Sequence, residues 1–211
     1  MNAATAFDPR HTALVIIDLQ NDFLAADGAY ARGGAASAAA QALPPRVSAV
    51  AQALKAAGGM VVGSQFTLWP DAHGEPMVSP HLKNLRPFLR RGDFAPGSVG
   101  QNHVPEIAPW VDVSVCKVAY SAFFNTQLDW VLRRAGITTV AVCGIVTNGG
   151  VASTVRDAHM RDYQTLVLAD GCAAFRTEVH DTSLADMATV AQVLSCADFS
   201  AALSAPVARP V

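Results

Sequence analysis

Residues 137–158 read ITTVAVCGIVTNGGVASTVRDA, and the rest of the chain falls into place around them. The stretch opens with a short apolar run rich in β-branched residues, from Thr138 to Val142. It breaks at Gly144 and restarts at Thr147-Asn148-Gly149-Gly150 as a helix-compatible segment ending in Arg156-Asp157-Ala158. This pattern predicts a buried strand, a tight turn and a helix N-terminus. In an open α/β sheet, ligands bind where the carboxyl end of a strand feeds a helix. The first N–H groups of that helix lack intrahelical partners and favour negative charge. An ordinary strand-to-helix turn, with glycines for close packing, accounts for the same residues equally well.

The flanking chain repeats the alternation. Residues 13–18, ALVIID, form a continuous apolar run ending in a carboxylate, as in a parallel strand buried on both faces. Pro44-Pro45 start a helix carrying Val47, Val50, Ala51 and Leu54 at helical spacing, and Gly58-Gly59 end it. Strands are predicted at 60–66, 111–117, 164–170 and 191–195, and helices at 125–135 (closed by Gly136) and 178–188. Residues 25–43, Ala/Gly-rich and weakly patterned, read as a surface excursion. Residues 69–100, rich in Pro, Gly, His and Arg, read as a long functional loop of the lid kind. The alternation predicts an α/β fold: one domain over residues 1–211, with three α/β/α layers around a mainly parallel sheet.

Composition narrows the function. Half of the 211 residues are apolar and few are charged, which fits a full hydrophobic core and argues against disorder. A net charge of −2 gives no reason to expect nucleic acid or an anionic membrane as partner. The start, MNAATAFDPRHTA, lacks the charged and apolar regions of a signal peptide, and no apolar run is long enough to span a membrane. Cys116, Cys143, Cys172 and Cys196 lie in or beside apolar stretches without C-x-x-C spacing. They read as buried thiols of a reducing cytoplasm, with no disulfide and no zinc site.

GIVTNGGVASTVRDA resembles the nucleophile loop of the isochorismatase-like (cysteine) hydrolase superfamily, whose pattern runs roughly G-V-x-T-N-x-C-V-x-x-T-x-R-D-A. Gly144, Thr147, Asn148, Val151, Thr154, Arg156, Asp157 and Ala158 match, and Gly150 stands where most of the family carries its catalytic cysteine. ALVIIDLQNDF resembles the family's opening motif, which makes Asp18 the catalytic acid or base. Lys117 with VAYSAFF resembles its Lys-x-x-Tyr-Ser-Ala-Phe segment, which makes Lys117 catalytic and puts Tyr120 and Phe123 at the substrate. GCAAF at 171–175 also matches. The resemblance runs from residue 13 to about 195. It implies a Rossmann-like sheet of about six strands and a cis peptide before Thr147. The loop Val146, Thr147, Asn148, Gly149 would then offer N–H groups as an oxyanion hole. Nicotinamidase-type relatives carry an Asp-x-His metal site ending the second strand. Here that register holds Phe66 and Leu68, while Asp71-Ala72-His73 lies five residues on, so neither metal nor cofactor is expected. Arg86, Arg90 and Arg91 are candidates for a substrate carboxylate or for a solvated basic face. His180, on the late helix, is expected to make a structural polar contact.

The usual family mechanism joins an Asp base, a charge-stabilising Lys and a Cys nucleophile. With Asp18 and Lys117 kept and the thiol absent, covalent amidase chemistry is disfavoured, and Cys143 lies inside the strand. Isochorismatases share the Gly, Asp and Lys and hydrolyse a vinyl ether by acid-initiated chemistry. This chain, however, keeps Thr147-Asn148 where they commonly show Ala-His. The expectation is non-covalent hydrolysis of a small molecule, a vinyl ether or a small amide, by a homo-oligomer. Acid initiation requires a raised Asp18 pKa, which Lys117 opposes unless a substrate carboxylate pairs with the lysine. A catalytically silent member binding a small acid or amide, and a cysteine amidohydrolase altered at position 150, remain alternatives.

Overall fold

A computed structural model describes residues 7–203, so residues 1–6 of the opening stretch lie outside it. Six strands form one sheet: β1 (Thr12–Ile17), β2 (Met60–Phe66), β3 (Val113–Lys117), β4 (Thr139–Ile145), β5 (Gln164–Ala173) and β6 (Gln192–Leu194). Their order is β3-β2-β1-β4-β5-β6 and every pairing is parallel. The helices are α1 (Asn21–Leu24), α2 (Ala29–Arg32), α3 (Ala38–Gln41), α4 (Leu43–Ala56), α5 (Pro80–Leu85), α6 (Leu128–Arg134), α7 (Ala152–His159), α8 (Thr177–Met187) and α9 (Cys196–Ala202). The architecture is a three-layer α/β/α fold of the Rossmann-like kind.

All residues of the two central strands, β1 and β4, are buried, which is why their sequences run apolar without alternation. The chain adds β2 and β3 on one side of β1, then returns to add β4, β5 and β6 on the other. That reversal opens a crevice at the carboxyl ends of β1 and β4. The two ends come close: Gly144 has φ +111°, and a Cβ there would lie 2.2 Å from the Ile17 carbonyl oxygen. Only glycine fits.

Several expectations are corrected. Residues 25–43 are no bare excursion but hold α2 and α3. Asp22 fixes the start of α2, its buried carboxylate accepting from Ala29 N at 3.0 Å and from Phe94 N at 2.6 Å. Tyr30 of α2 is buried against Phe23, Phe88 and Phe94. These aromatic contacts are distant in sequence and leave no local period. The helix expected from 125 starts at Leu128, where Thr126 Oγ1 accepts the Leu128 N–H at 3.1 Å, and Asn125 is left-handed at φ +53°. The cis bond is Ile145–Val146, at the end of β4 and one residue earlier than implied. Cys116 is exposed, since β3 is an edge strand with one face open. No described helix is long and apolar enough to cross a membrane.

His103 gives the fold a pH dependence. Its Nε2 lies 3.1 Å from Ser114 Oγ, and its buried Nδ1 has no partner among the described residues. The ring sits over Gly63, where a Cβ would meet it at 2.5 Å. Burial pushes its pKa down to about 4. Between that value and the ordinary ~6.5 the unfolded chain holds the extra proton, so stability falls as pH drops through this window, by up to about 3 kcal/mol. Denaturant unfolding at pH 7 and pH 4.5 should show a smaller loss in His103→Gln than in the parent. Equal losses would mean that the ring charges freely in the fold.

Candidate active site

Asp18 follows the last residue of β1 in a left-handed conformation, φ +54°, which Asp tolerates better than most residues. Its Oδ1 accepts a hydrogen bond from Ser64 Oγ at 2.7 Å, and Ser64 sits on β2 in register with Ile17. Its Oδ2 lies 2.6 Å from Lys117 Nζ. Lys117 ends β3, two strand spacings from β1, roughly 10 Å. The extended lysine crosses the end of β2 to close that gap. Its ammonium also donates to Ala119 O at 3.0 Å and lies 5.6 Å from the Phe66 ring centroid. Both side chains are buried, so each charge depends on the other. Burial pushes the Asp18 carboxyl above its usual range, against the opposing pull of the Lys117 cation and the Ser64 hydroxyl.

The pair faces a cavity of about 520 Å³. Ile145, Val146, Asn148, Gly149, Gly150 and Ser153 line one side of it. These residues belong to the end of β4, a π-helical turn (Thr147–Val151) and the start of α7. Phe23, Tyr30, Phe66, the exposed Tyr120, residues of α5 and Arg86 line it as well. Asp18, Lys117, Gly150, Val146, Asn148, Gly149 and Tyr120 thus all line this one cavity. Thr147 and Phe123 do not reach the cavity. Thr147 is fully buried, with its hydroxyl 2.8 Å from His180 Nδ1, which joins the turn to α8. Phe123 is in the core against Tyr163, ring centroids 6.0 Å apart.

The other motif residues build the scaffold. Thr154 donates to Gly150 O at 2.7 Å and accepts from Ala122 N at 3.0 Å, which ties α7 to the segment after Lys117. Arg156 pairs with Asp186 of α8. Asp71 Oδ1 accepts the N–H groups of His73 and Glu75 in a local turn. Among the described residues no group of three or more His, Cys, Asp or Glu is placed to hold a metal. Arg91 pairs with Glu75, Arg90 is exposed, and of the three arginines Arg86 alone lines the cavity. None of the four cysteines lines it. Burial pushes the Cys143 and Cys172 thiols well up and the Cys196 thiol up to about 12.

Ser64 and Tyr30 escaped the sequence reading. A fully buried serine inside MVVGSQF was the available signal for the first, since a hydroxyl in such a strand needs a partner. Tyr30 gave none. Ser64→Ala should lower stability by about 1–3 kcal/mol, because it removes a donor from a buried carboxylate. Denaturant unfolding checks this. An unchanged midpoint would mean that the serine does not hold Asp18.

A family model for the isochorismatase domain matches residues 12–198. The chain is 33% identical over 217 residues to the ureidoacrylate amidohydrolase RutB of Methylobacterium radiotolerans, covering 97% of this chain and 84% of that one. It is 34% identical to the RutB of Methylorubrum extorquens, covering 98% and 88%. Among solved structures it resembles a cysteine hydrolase from Pseudomonas syringae pv. phaseolicola, with TM-score 0.79, 26% identity, and 96% and 98% of the two chains covered. It also resembles N-carbamoylsarcosine amidase from Thermoplasma acidophilum, with TM-score 0.68, 26% identity, and 88% and 96% covered. By its sheet order, its motifs and these matches, the chain belongs to the isochorismatase family of hydrolases.

Proposed function

We infer that the protein hydrolyses a C–N bond of a small amide or ureido compound, with Asp18 as general base and no covalent protein intermediate. The observation that carries this reading is the buried Asp18–Lys117 pair at 2.6 Å, facing a cavity that no cysteine lines. Asp18 accepts from both Lys117 and Ser64, and two donors favour the ionised carboxylate, the form that takes a proton from water. Water held by Asp18 attacks the carbonyl carbon. Lys117 and the N–H groups at the start of the turn stabilise the developing oxyanion. Asp18 then returns the proton to the leaving nitrogen as the C–N bond breaks.

Gly150, at the position of the family's thiol, leaves its face of the site to water. A Cβ there would lie 2.7 Å from Ile17 Cγ2 and 3.0 Å from Ile145 O. Ile17 is β-branched and held in a strand, so it yields poorly. This packing favours a site built around glycine over a cysteine enzyme altered at position 150. The names of the RutB relatives and of the carbamoylsarcosine amidase support a C–N bond as target.

A second reading, acid-initiated hydrolysis of a vinyl ether, is favoured by one observation: burial raises the Asp18 pKa. The pH profile separates the two. With Asp18 as base, kcat/KM rises with pH through an apparent pKa above the ordinary carboxylate range; with Asp18 as acid, it falls there. A panel of ureido acids, small amides and vinyl ethers should show turnover of the first two classes with the rising profile. Asp18→Asn should lose about 10³-fold or more in kcat/KM. Near-native turnover in Asp18→Asn would remove Asp18 from the chemistry. Absence of hydrolysis across the panel would favour the silent, binding reading.

A further inference from the structure

We propose that the substrate of this site carries an apolar body, an alkyl chain or an aromatic ring, beyond its scissile amide or ureido group, and that Phe66, Phe23, Tyr30 and Phe175 form the wall that selects it. The scissile end rests on the functional reading above. The wall is argued from the size of the cavity and from the rings that line it.

Size comes first. A ureido group has four non-hydrogen atoms, and at about 30 Å³ for each water-sized group it fills on the order of 100 Å³. The cavity measures about 520 Å³. Most of that space lies beyond the group to be cleaved, so the lining decides what fills it. Volumes of this order hold ligands well above the size of a bare amide or urea.

Four rings from four separate segments make one continuous surface. Phe66, at the end of β2, has its centroid 5.6 Å from Lys117 Nζ, beside the ion pair. Phe23 of α1 follows at 6.1 Å from Phe66, Tyr30 of α2 at 4.7 Å from Phe23, and Phe175 at 6.0 Å from Tyr30, near-parallel to it at 7°. All four line the cavity. Phe94, fully buried, backs Phe23 and Phe66 from the core with centroids at 4.6 and 5.3 Å. Phe23 and Phe66 are only half-buried, and Phe175 is 46% exposed. A ring that merely closes a core is covered by other side chains, whereas this row is left open along a cavity and reaches solvent at Phe175. Apolar surface exposed inside a concave site marks an apolar ligand. The charged groups do not contradict this. Asp18 and Lys117 pair with each other, and Arg86 is held on the wall itself, its Nε donating to Tyr30 Oη at 3.1 Å and its guanidinium carbon 5.8 Å from the Tyr30 and Phe175 centroids. A body that fits such a wall buries hydrocarbon and stacks on rings, while a hydrated polar body loses its water there without gaining partners.

The test reads binding separately from turnover. Acetamide, butanamide, hexanamide and 3-phenylpropanamide share one polar head and differ only in hydrocarbon. Titrations of the parent protein followed by NMR should show affinity rising about two- to fourfold per added methylene up to hexanamide, with 3-phenylpropanamide binding at least as tightly. Phe175→Ala should weaken 3-phenylpropanamide about three- to tenfold and leave butanamide within about twofold, because Phe175 pairs with neither Phe66 nor Phe23 and meets only a long ligand. Thermal melting checks the fold. If Phe175→Ala does not fold, Phe175→Leu decides, because it keeps apolar bulk without the ring and should weaken 3-phenylpropanamide more than hexanamide. The assignment is overturned if affinity is flat along the series, if the Phe175 variant leaves 3-phenylpropanamide unchanged, or if it weakens the short and long amides equally. A climbing affinity with no hydrolysis of these amides or of the matching alkyl- and arylureas would overturn the C–N reading and leave the wall standing.

Discussion

The buried contact between Asp18 and Lys117 is the constraint on which the site depends. Neither charge is tolerable alone when buried at a strand end, and removing one partner of such a pair typically costs about 3–5 kcal/mol. The sheet order answers this. β3 and β1 are separated only by β2, so a lysine at the end of one reaches a carboxylate at the end of the other. Ser64 on the intervening strand supplies the second donor. Three parallel strands thus deliver one residue each to one point, and the chain's reversal at β1 and β4 opens the crevice beside it. In the proposed reaction the same carboxylate, held by two donors, keeps acceptor capacity for a proton from water.

The fold was legible because its signals are local. The runs ALVIID, MVVGSQF and TVAVCGI are short, apolar and bounded by turn residues, and each became a strand. Gly144 and Gly136, read as breaks, both have positive φ. What the sequence hid was held by contacts between distant residues. Tyr30 is buried by aromatic partners on two other segments, and Asp22 is explained only when Phe94 N is seen on it. Position in a motif also failed to tell wall from scaffold. Thr147 and Phe123 belong to matched motifs, yet one holds α8 and the other packs on Tyr163. Alternation along a strand says which side faces inward, but a turn and an irregular segment carry no such rule.

Residues 69–100 illustrate the same limit from the opposite direction. Their composition gave three arginines of equal standing. The structure separates them by partners, with Arg91 on Glu75, Arg90 exposed, and Arg86 held by Tyr30 at the cavity. Gly150 is a comparable case, where the absence of a side chain is legible but its meaning is not. The close approach of Ile17 to that position gives the absence a physical content, because its Cγ2 methyl and the Ile145 carbonyl lie where a Cβ would crowd them.

The central claim is hydrolysis with Asp18 as base and no acyl-enzyme. Intact-protein mass spectrometry on samples acid-quenched during steady turnover of a ureido acid tests it most directly. The account predicts only the unmodified chain at every quench time, while product accumulates. A substrate-derived acyl mass that forms and decays at the turnover rate, mapped to Cys143, Cys172 or Ser153, would contradict it.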